Sequence, residues 1–206
     1  MITLTQVAMF SAASIILIFT PGPDIIYVMT RGIAQGRKAA ISAAAGFSLG
    51  NIFHILCAVV GLSALITSSA AAFQIVKIAG AVYLIWLGVK IFRSDAEISM
   101  SKEQKSVQLK SIFKQSIIAN MLNPKVAVFF LAFFPQFIET DRGHVAVQML
   151  ILGCIFVVLT FIGFSMVGYG SGKIGNWLSS NPTVGNRINK IAGSVLVFLG
   201  LRLAFR

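Results

Sequence analysis

Thr20-Pro21-Gly22-Pro23-Asp24 interrupts an apolar stretch that opens near Leu4 and closes near Met29. Proline removes a backbone N–H and clashes with the carbonyl four residues back, so this segment breaks a helix inside a hydrophobic run. A second run, over 115–138, is broken the same way by Asn123-Pro124-Lys125. The surroundings of both breaks are strongly apolar. The 206-residue chain is 57 % hydrophobic and 11 % charged, against about a quarter charged in an ordinary soluble domain, and its mean hydropathy is +0.88. Residues 1–23, 39–76 and 143–172 contain no Asp, Glu, Lys or Arg. A chain this short has too little interior to hide that much apolar surface from water, whereas about 20 apolar residues carry a helix across the hydrocarbon core. The expectation is an all-α integral membrane protein of six spans, near 4–29 (broken), 39–66, 70–92, 115–138 (broken), 145–170 and 191–205. No length is left for a nucleotide-binding domain, which argues against ATP-driven pumping by this chain alone.

Seventeen Lys and Arg against six Asp and Glu give a net charge of +11. In a soluble protein that balance would suggest nucleic acid. Here the aromatics lie inside the apolar runs, and the positive-inside rule accounts for the charge, so no nucleic-acid partner is expected. The links after the first, third and fifth spans carry eleven basic residues, including Arg31, Arg37, Lys38, Lys102, Lys105, Lys173 and Arg187, whereas the links after spans two and four carry only Arg142. The odd-numbered links are therefore expected in the cytoplasm and the C-terminus outside. The N-terminal side stays open, because a first segment broken at Pro21-Gly22-Pro23 either spans or re-enters. It lacks the cationic n-region and small-residue cleavage site of a signal peptide, and so is expected to persist. Cys57 and Cys154 lie in apolar stretches and read as small core residues with no disulfide.

The chain repeats itself. Lys77-Ile78-Ala79-Gly80 recurs as Lys190-Ile191-Ala192-Gly193, each followed by a Leu-Gly pair (Leu87-Gly88, Leu199-Gly200), and Gly46-Phe47-Ser48 recurs as Gly163-Phe164-Ser165. With a proline-broken span leading each set, one transporter domain over 1–206 divides into halves of three spans, 1–93 and 115–206, joined by a basic link at 94–114. Because three is odd, the halves insert in opposite orientations, and inverted repeats with interrupted helices place their substrate site at the repeat interface near the bilayer midplane.

The breaks themselves are the first candidates for that site. In lipid, backbone groups freed by Pro21, Pro23 and Pro124 must be satisfied by protein, water or ligand. Thr20 before Pro21 and Asn123 before Pro124 both read as N-caps with Pro at the first helical position. Each break then begins a half-helix whose free N–H groups suit a carboxylate. Asp24 is the lone acid within a span and Lys125 the most deeply placed base. Charges at such depth are paired or face a wet cavity. One account is a packing ion pair; the other has Asp24 receiving an ammonium group or a proton while Lys125 takes a carboxylate, in a wet chamber of ligand size. Gly46, Gly50, Asn51 and His54 fall on one helical face, the glycines permitting close approach by a neighbour and Asn51 and His54 adding polar atoms. His54 with Cys57 is a weak metal pair, and a packed histidine fits better. Phe129, Phe130, Phe133, Phe134 and Phe137 read as lipid-facing or packing aromatics.

Thr20-Pro21-Gly22-Pro23-Asp24, the Gly46…Gly50 stripe, Lys77-Ile78-Ala79-Gly80…Tyr83-Leu84…Leu87-Gly88 and Asn123-Pro124-Lys125…Phe133-Phe134-Pro135-Gln136-Phe137 together resemble the LysE/RhtB family of bacterial amino-acid exporters over essentially the whole chain. The resemblance implies a multi-pass protein of the bacterial inner membrane that expels amino acids or derivatives, driven by protons, with motif positions Pro21, Gly22, Pro23, Asp24, Asn123, Pro124 and Lys125. Where many members carry an acid after the glycine stripe, this chain has Asn51, which favours neutral zwitterions of the homoserine, threonine or leucine kind over lysine or arginine. The expected protein is an antiporter rather than an enzyme. It needs no cofactor, and its partners are substrate, protons and lipid, with a homo-oligomer left open. A divalent-metal exporter on the same scaffold is the alternative, as is, further down, a membrane-embedded enzyme acting on lipids.

Overall fold

The computed structural model describes residues 2–68, 70–94, 106–139 and 142–205, all helical apart from short connections. Eight α-helices follow in order: α1 (Leu4–Phe19), α2 (Pro23–Gln35), α3 (Arg37–Ser68), α4 (Ala70–Arg93), α5 (Leu109–Met121), α6 (Pro124–Val128), α7 (Val145–Ser180) and α8 (Pro182–Phe205). A π turn (Phe129–Phe133) and a 3₁₀ turn (Phe134–Phe137) extend α6. Four helices are long and apolar enough to cross a membrane, and the bent pairs α1–α2 and α5–α6 bring the count to six crossings, with bends of 59° and 47°. Both bends are well under a right angle, so each second piece carries the chain onward rather than back.

The N-terminal side follows from the ends of α1 and α2. The start of α1 lies with the 3₁₀ turn and the start of α7, where the Gln6 side-chain amide donates to the Phe137 carbonyl and, at 3.0 Å, to Gln148 Oε1. The end of α2 lies with the approach to α5, Gln35 Nε2 donating to the Val107 carbonyl at 2.9 Å. The first segment therefore crosses, and the re-entrant alternative is set aside. The chain's start shares a face with the 139–144 link.

Local sequence explains most of the helix ends. Thr3 and Gln6 form a capping box at the start of α1, each side chain bonding the other's backbone N–H. Thr20 departs from expectation: it is not the N-cap of the second piece but the C-cap of α1, its N–H and hydroxyl both turned back to the Ile16 carbonyl. Pro21 stops α1, and Pro23, not Pro21, takes the first helical position, leaving the extended Gly22 as N-cap without a side-chain bond. Gly36 closes α2 with φ of 80°, a conformation glycine adopts without a Cβ penalty, and α3 follows at once.

The helices outrun the sequence expectation at four ends. The first broken span continues to Gln35 rather than 29, the fourth begins at Leu109 rather than 115, the fifth runs to Ser180 rather than 170, and the sixth begins at Pro182 rather than 191. The Gly-, Asn- and Ser-rich stretch between spans five and six is helical although such residues are poor helix formers, α7 running to Ser180 and Pro182 taking the first turn of α8. Most of the basic link at 94–114 lies outside the described residues.

The halves, α1–α4 and α5–α8, pack around a pseudo-two-fold relation. The long helices α3 and α7 cross at the centre, where the repeat-equivalent Phe47 and Phe164 meet edge to face with ring centroids 5.7 Å apart. The α3 glycine stripe lies on α5, and a methyl added at Gly46 would come 2.4 Å from the Phe113 carbonyl oxygen. In the second half Gly163 of α7 lies likewise against Ile18 of α1. The third helices, α4 and α8, make the most extensive helix pair. All five phenylalanines of 129–137 are buried. Phe129, Phe134 and Phe137 pack on Phe10 of α1, whose ring centroid is 5.3 Å from those of Phe134 and Phe137, and Phe130 and Phe133 pack on these rings in turn, so the packing expectation holds and the lipid-facing one does not. Cys57 and Cys154 are exposed on the apolar exterior rather than in the core.

Candidate functional site

The two proline breaks meet at mid-molecule. Asp24 is the second residue of α2 and Lys125 the second of α6; both are almost wholly buried, at 3 % and 4 % exposure. Both line one small cavity together with Leu17, Asn51, Asn120 and Thr160, closed on its apolar side by Val126, Phe156 and Phe164. It has room for about one water molecule. A ligand-sized chamber is therefore not open in this conformation.

The Lys125 ammonium donates to the Thr20 carbonyl at 3.2 Å and the Leu17 carbonyl at 3.4 Å. Both carbonyls belong to the C-terminal end of α1, that of Leu17 also accepting from the Thr20 N–H at 3.3 Å, and the helix dipole favours a cation there. Gly22 makes room for it: a Cβ there would lie 3.2 Å from Lys125 Nζ. Asp24 is held separately, its carboxylate accepting from the Asn123 side-chain amide. Asn123 Oδ1 meanwhile accepts from the Lys125 backbone N–H at 3.0 Å, which makes Asn123 the cap of α6 that the sequence suggests. Asp24 and Lys125 do not form a direct ion pair; among the described residues the one such contact is Arg142 with Glu139. Because α6 runs only five residues before the π turn, the dipole of α2 is the more substantial of the two half-helix starts.

A chain of neutral groups lies beside the charged pair. Asn120 Nδ2 donates to Asn51 Oδ1 at 3.1 Å, Asn51 Nδ2 to Thr160 Oγ1 at 3.2 Å, and the Thr160 hydroxyl to the Phe156 carbonyl at 2.8 Å. His54 Nε2 meets the Asn120 carbonyl at 2.9 Å and its ring stacks on Phe130. A carbonyl can only accept, so this nitrogen carries the proton. The structure thus brings Asp24, Asn51 and Lys125 to one cavity wall, sets Asn123 and His54 one bond behind it, and uses Pro21, Gly22, Pro23 and Pro124 as its frame. Sequence reasoning missed Asn120 and Thr160. Asn120 stands one turn ahead of Asn123, and Thr160 is the lone polar residue between Gln148 and Ser165 apart from Cys154, signals too slight without a partner in view. No group of three or more His, Cys, Asp or Glu converges among the described residues.

Two inverted halves, each led by a broken helix, enclosing buried charged groups where the breaks meet define a multi-pass membrane transport protein. The model of the LysE type translocator matches residues 15–206, and the chain belongs to that family. Over 193 residues it is 36 % identical to the homoserine/homoserine lactone efflux protein of Salmonella typhimurium, covering 93 % of this chain and 92 % of the relative. It is 29 % identical to the leucine efflux protein of Klebsiella pneumoniae, over 95 % and 92 % of the two chains. An uncharacterized membrane protein of Vibrio cholerae is 31 % identical over 93 % and 92 %. No solved structure matches.

Proposed function

We propose that the protein exports small zwitterionic amino acids or close derivatives across the bacterial inner membrane in exchange for protons. The observation that carries this reading is that Asp24 and Lys125 line one buried cavity, each held by neutral partners rather than by the other. An amino acid offers the complementary pair: its ammonium replaces the Asn123 amide at Asp24, and its carboxylate draws Lys125 from the α1 carbonyls toward the start of α2. A proton at Asp24 then stands in for the ammonium on the return step. The basic residues gathered around the ends of α2, α4 and α7 set the cytoplasmic face, which leaves both termini outside. The efflux relatives support an amino acid as cargo, and the lack of a convergent ligand group among the described residues gives the metal alternative no observation of its own.

Proteoliposomes containing the full-length protein, loaded with labelled homoserine or leucine and given an acid exterior, test the reading. Wild-type protein should release label faster with the pH gradient than without it, and Asp24→Asn should lose that dependence. Release by Asp24→Asn with an undiminished response to the gradient would remove the proton role, and no release by wild type would remove the exporter.

A further inference from the structure

We propose that Asn51, Asn120 and Thr160 form the subsite for the substrate's side chain, and that this subsite selects a short side chain ending in a hydroxyl. The inference rests on the amino-acid reading above and refines it. The three residues come from α3, α5 and α7, so both halves contribute, and all three line the cavity that holds Asp24 and Lys125. Each is at least 98 % buried.

Their hydrogen bonds run in one direction. Asn120 donates to Asn51, Asn51 to Thr160, and Thr160 to the Phe156 carbonyl. At the head of this chain Asn120 Oδ1 has no hydrogen-bond partner although it is buried, an arrangement that costs free energy and calls for a donor. A hydroxyl both donates and accepts. It can enter such a chain at any link, or give its proton to the open amide oxygen, without leaving a polar atom unpaired. A methyl group in the same place would press against two amides and a hydroxyl and satisfy none of them. A site built to bond a hydroxyl rejects the isostere lacking it far more strongly than an apolar pocket discriminates sizes. The subsite carries no formal charge, so a second substrate ammonium would find no counter-ion there. Phe156 and Phe164 close the cavity beyond it, which keeps the side chain short.

Homoserine and norvaline share length and shape and differ by hydroxyl against methyl, so their transport ratio reads the subsite directly. Efflux of each from proteoliposomes of the full-length protein should favour homoserine by tenfold or more, in the range of discrimination by lost hydrogen bonds. Thr160→Val should pull the ratio toward unity, and Thr160→Ser, which keeps the hydroxyl, should restore it. Since the ratio is taken within one preparation, partial misfolding cancels. If Thr160→Val moves neither solute, the same ratio is taken from competition against homoserine-induced thermal stabilisation in detergent. A wild-type ratio near one, or a ratio untouched by Thr160→Val, overturns this inference while leaving the exporter standing. Failure of wild type to move either solute overturns both.

Discussion

Asp24 and Lys125 occupy equivalent places in the two halves, each following the proline that starts a half-helix, and they carry opposite charge into the same cavity. The pseudo-symmetry has turned one sequence position into an acid in one half and a base in the other. A zwitterion is matched by that arrangement, a dication or dianion is not.

Reversing one member leaves like charges facing each other in a buried site. Asp24→Lys alone, or Lys125→Asp alone, should lose roughly 3–5 kcal/mol, the scale for an uncompensated buried charge. The exchange Asp24→Lys with Lys125→Asp restores opposite signs at pseudo-equivalent positions. It should accumulate as monodisperse protein in detergent chromatography better than either single variant. Equal recovery of all three would show that the two charges do not share an environment.

Asn123 serves two helices at once, capping α6 and donating to Asp24. Asn123→Ala removes a cap worth about 1 kcal/mol and strips a hydrogen bond from a buried carboxylate, at about 1.5–3 kcal/mol. For a chain of this size each kcal/mol moves Tm by about 2–4 °C, so the expected fall is about 5–15 °C in a detergent thermal melt. Asn123→Asp keeps the cap but sets a second acid beside Asp24, and should be destabilised less at low pH than at neutral pH. A melt unchanged by Asn123→Ala would mean that the contact to Asp24 carries no weight.

How far the sequence spoke for itself depended on whether a signal was local. Spans, breaks and the two halves were legible because apolar length and proline act within a few residues, and Gly46 with Gly50 announced a close neighbour. Thr20 reads as an N-cap because Pro21 and Pro23, with Gly22 between them, offer two possible helix starts, and only the backbone path selects Pro23. Asn120 and Thr160 acquire meaning through a shared partner, Asn51, which lies 69 and 109 residues away from them along the chain, a distance that no window covers. The size of the cavity was illegible for another reason: it is set by how side chains from α1, α2, α3, α5, α6 and α7 close on one another, and no local signal carries that.

The repeat-equivalent helices α4 and α8 meet through glycine. A methyl at Gly88 would lie 2.7 Å from the Gly193 carbonyl oxygen, and one at Gly193 2.5 Å from that of Gly88. Close backbone approach of this kind is what small residues permit in membrane helix packing. Gly193→Leu should force the pair apart at a cost of about 1–3 kcal/mol or more, read as a lowered melting temperature in detergent, whereas Gly172→Leu, at a position with nothing within 4 Å, should be near neutral. Equal effects at the two positions would contradict the packing.

The cavity is sealed toward the face that carries the 139–144 link. Phe156, which lines it, stacks on Phe129 at 5.3 Å between centroids, and Phe10 fills the space between Phe129, Phe134 and Phe137. Beyond this aromatic layer, Gln148 ties three segments together: it accepts from Gln6 and from the Glu139 N–H, and donates to the Glu139 and Gly143 carbonyls at 2.9 and 2.8 Å. A substrate leaving by that face must part α1 from α7, so the Gln6–Gln148 bond has to break in every cycle. With Cys57 and Cys154 replaced by serine, Gln6→Cys combined with Gln148→Cys and bridged by a short thiol-specific crosslinker should stop amino-acid efflux from proteoliposomes. A reducible linker should return efflux on reduction, and either single cysteine should be insensitive to the reagent. Undiminished transport by the bridged protein would mean that α1 and α7 stay together at this end and that the exit lies elsewhere.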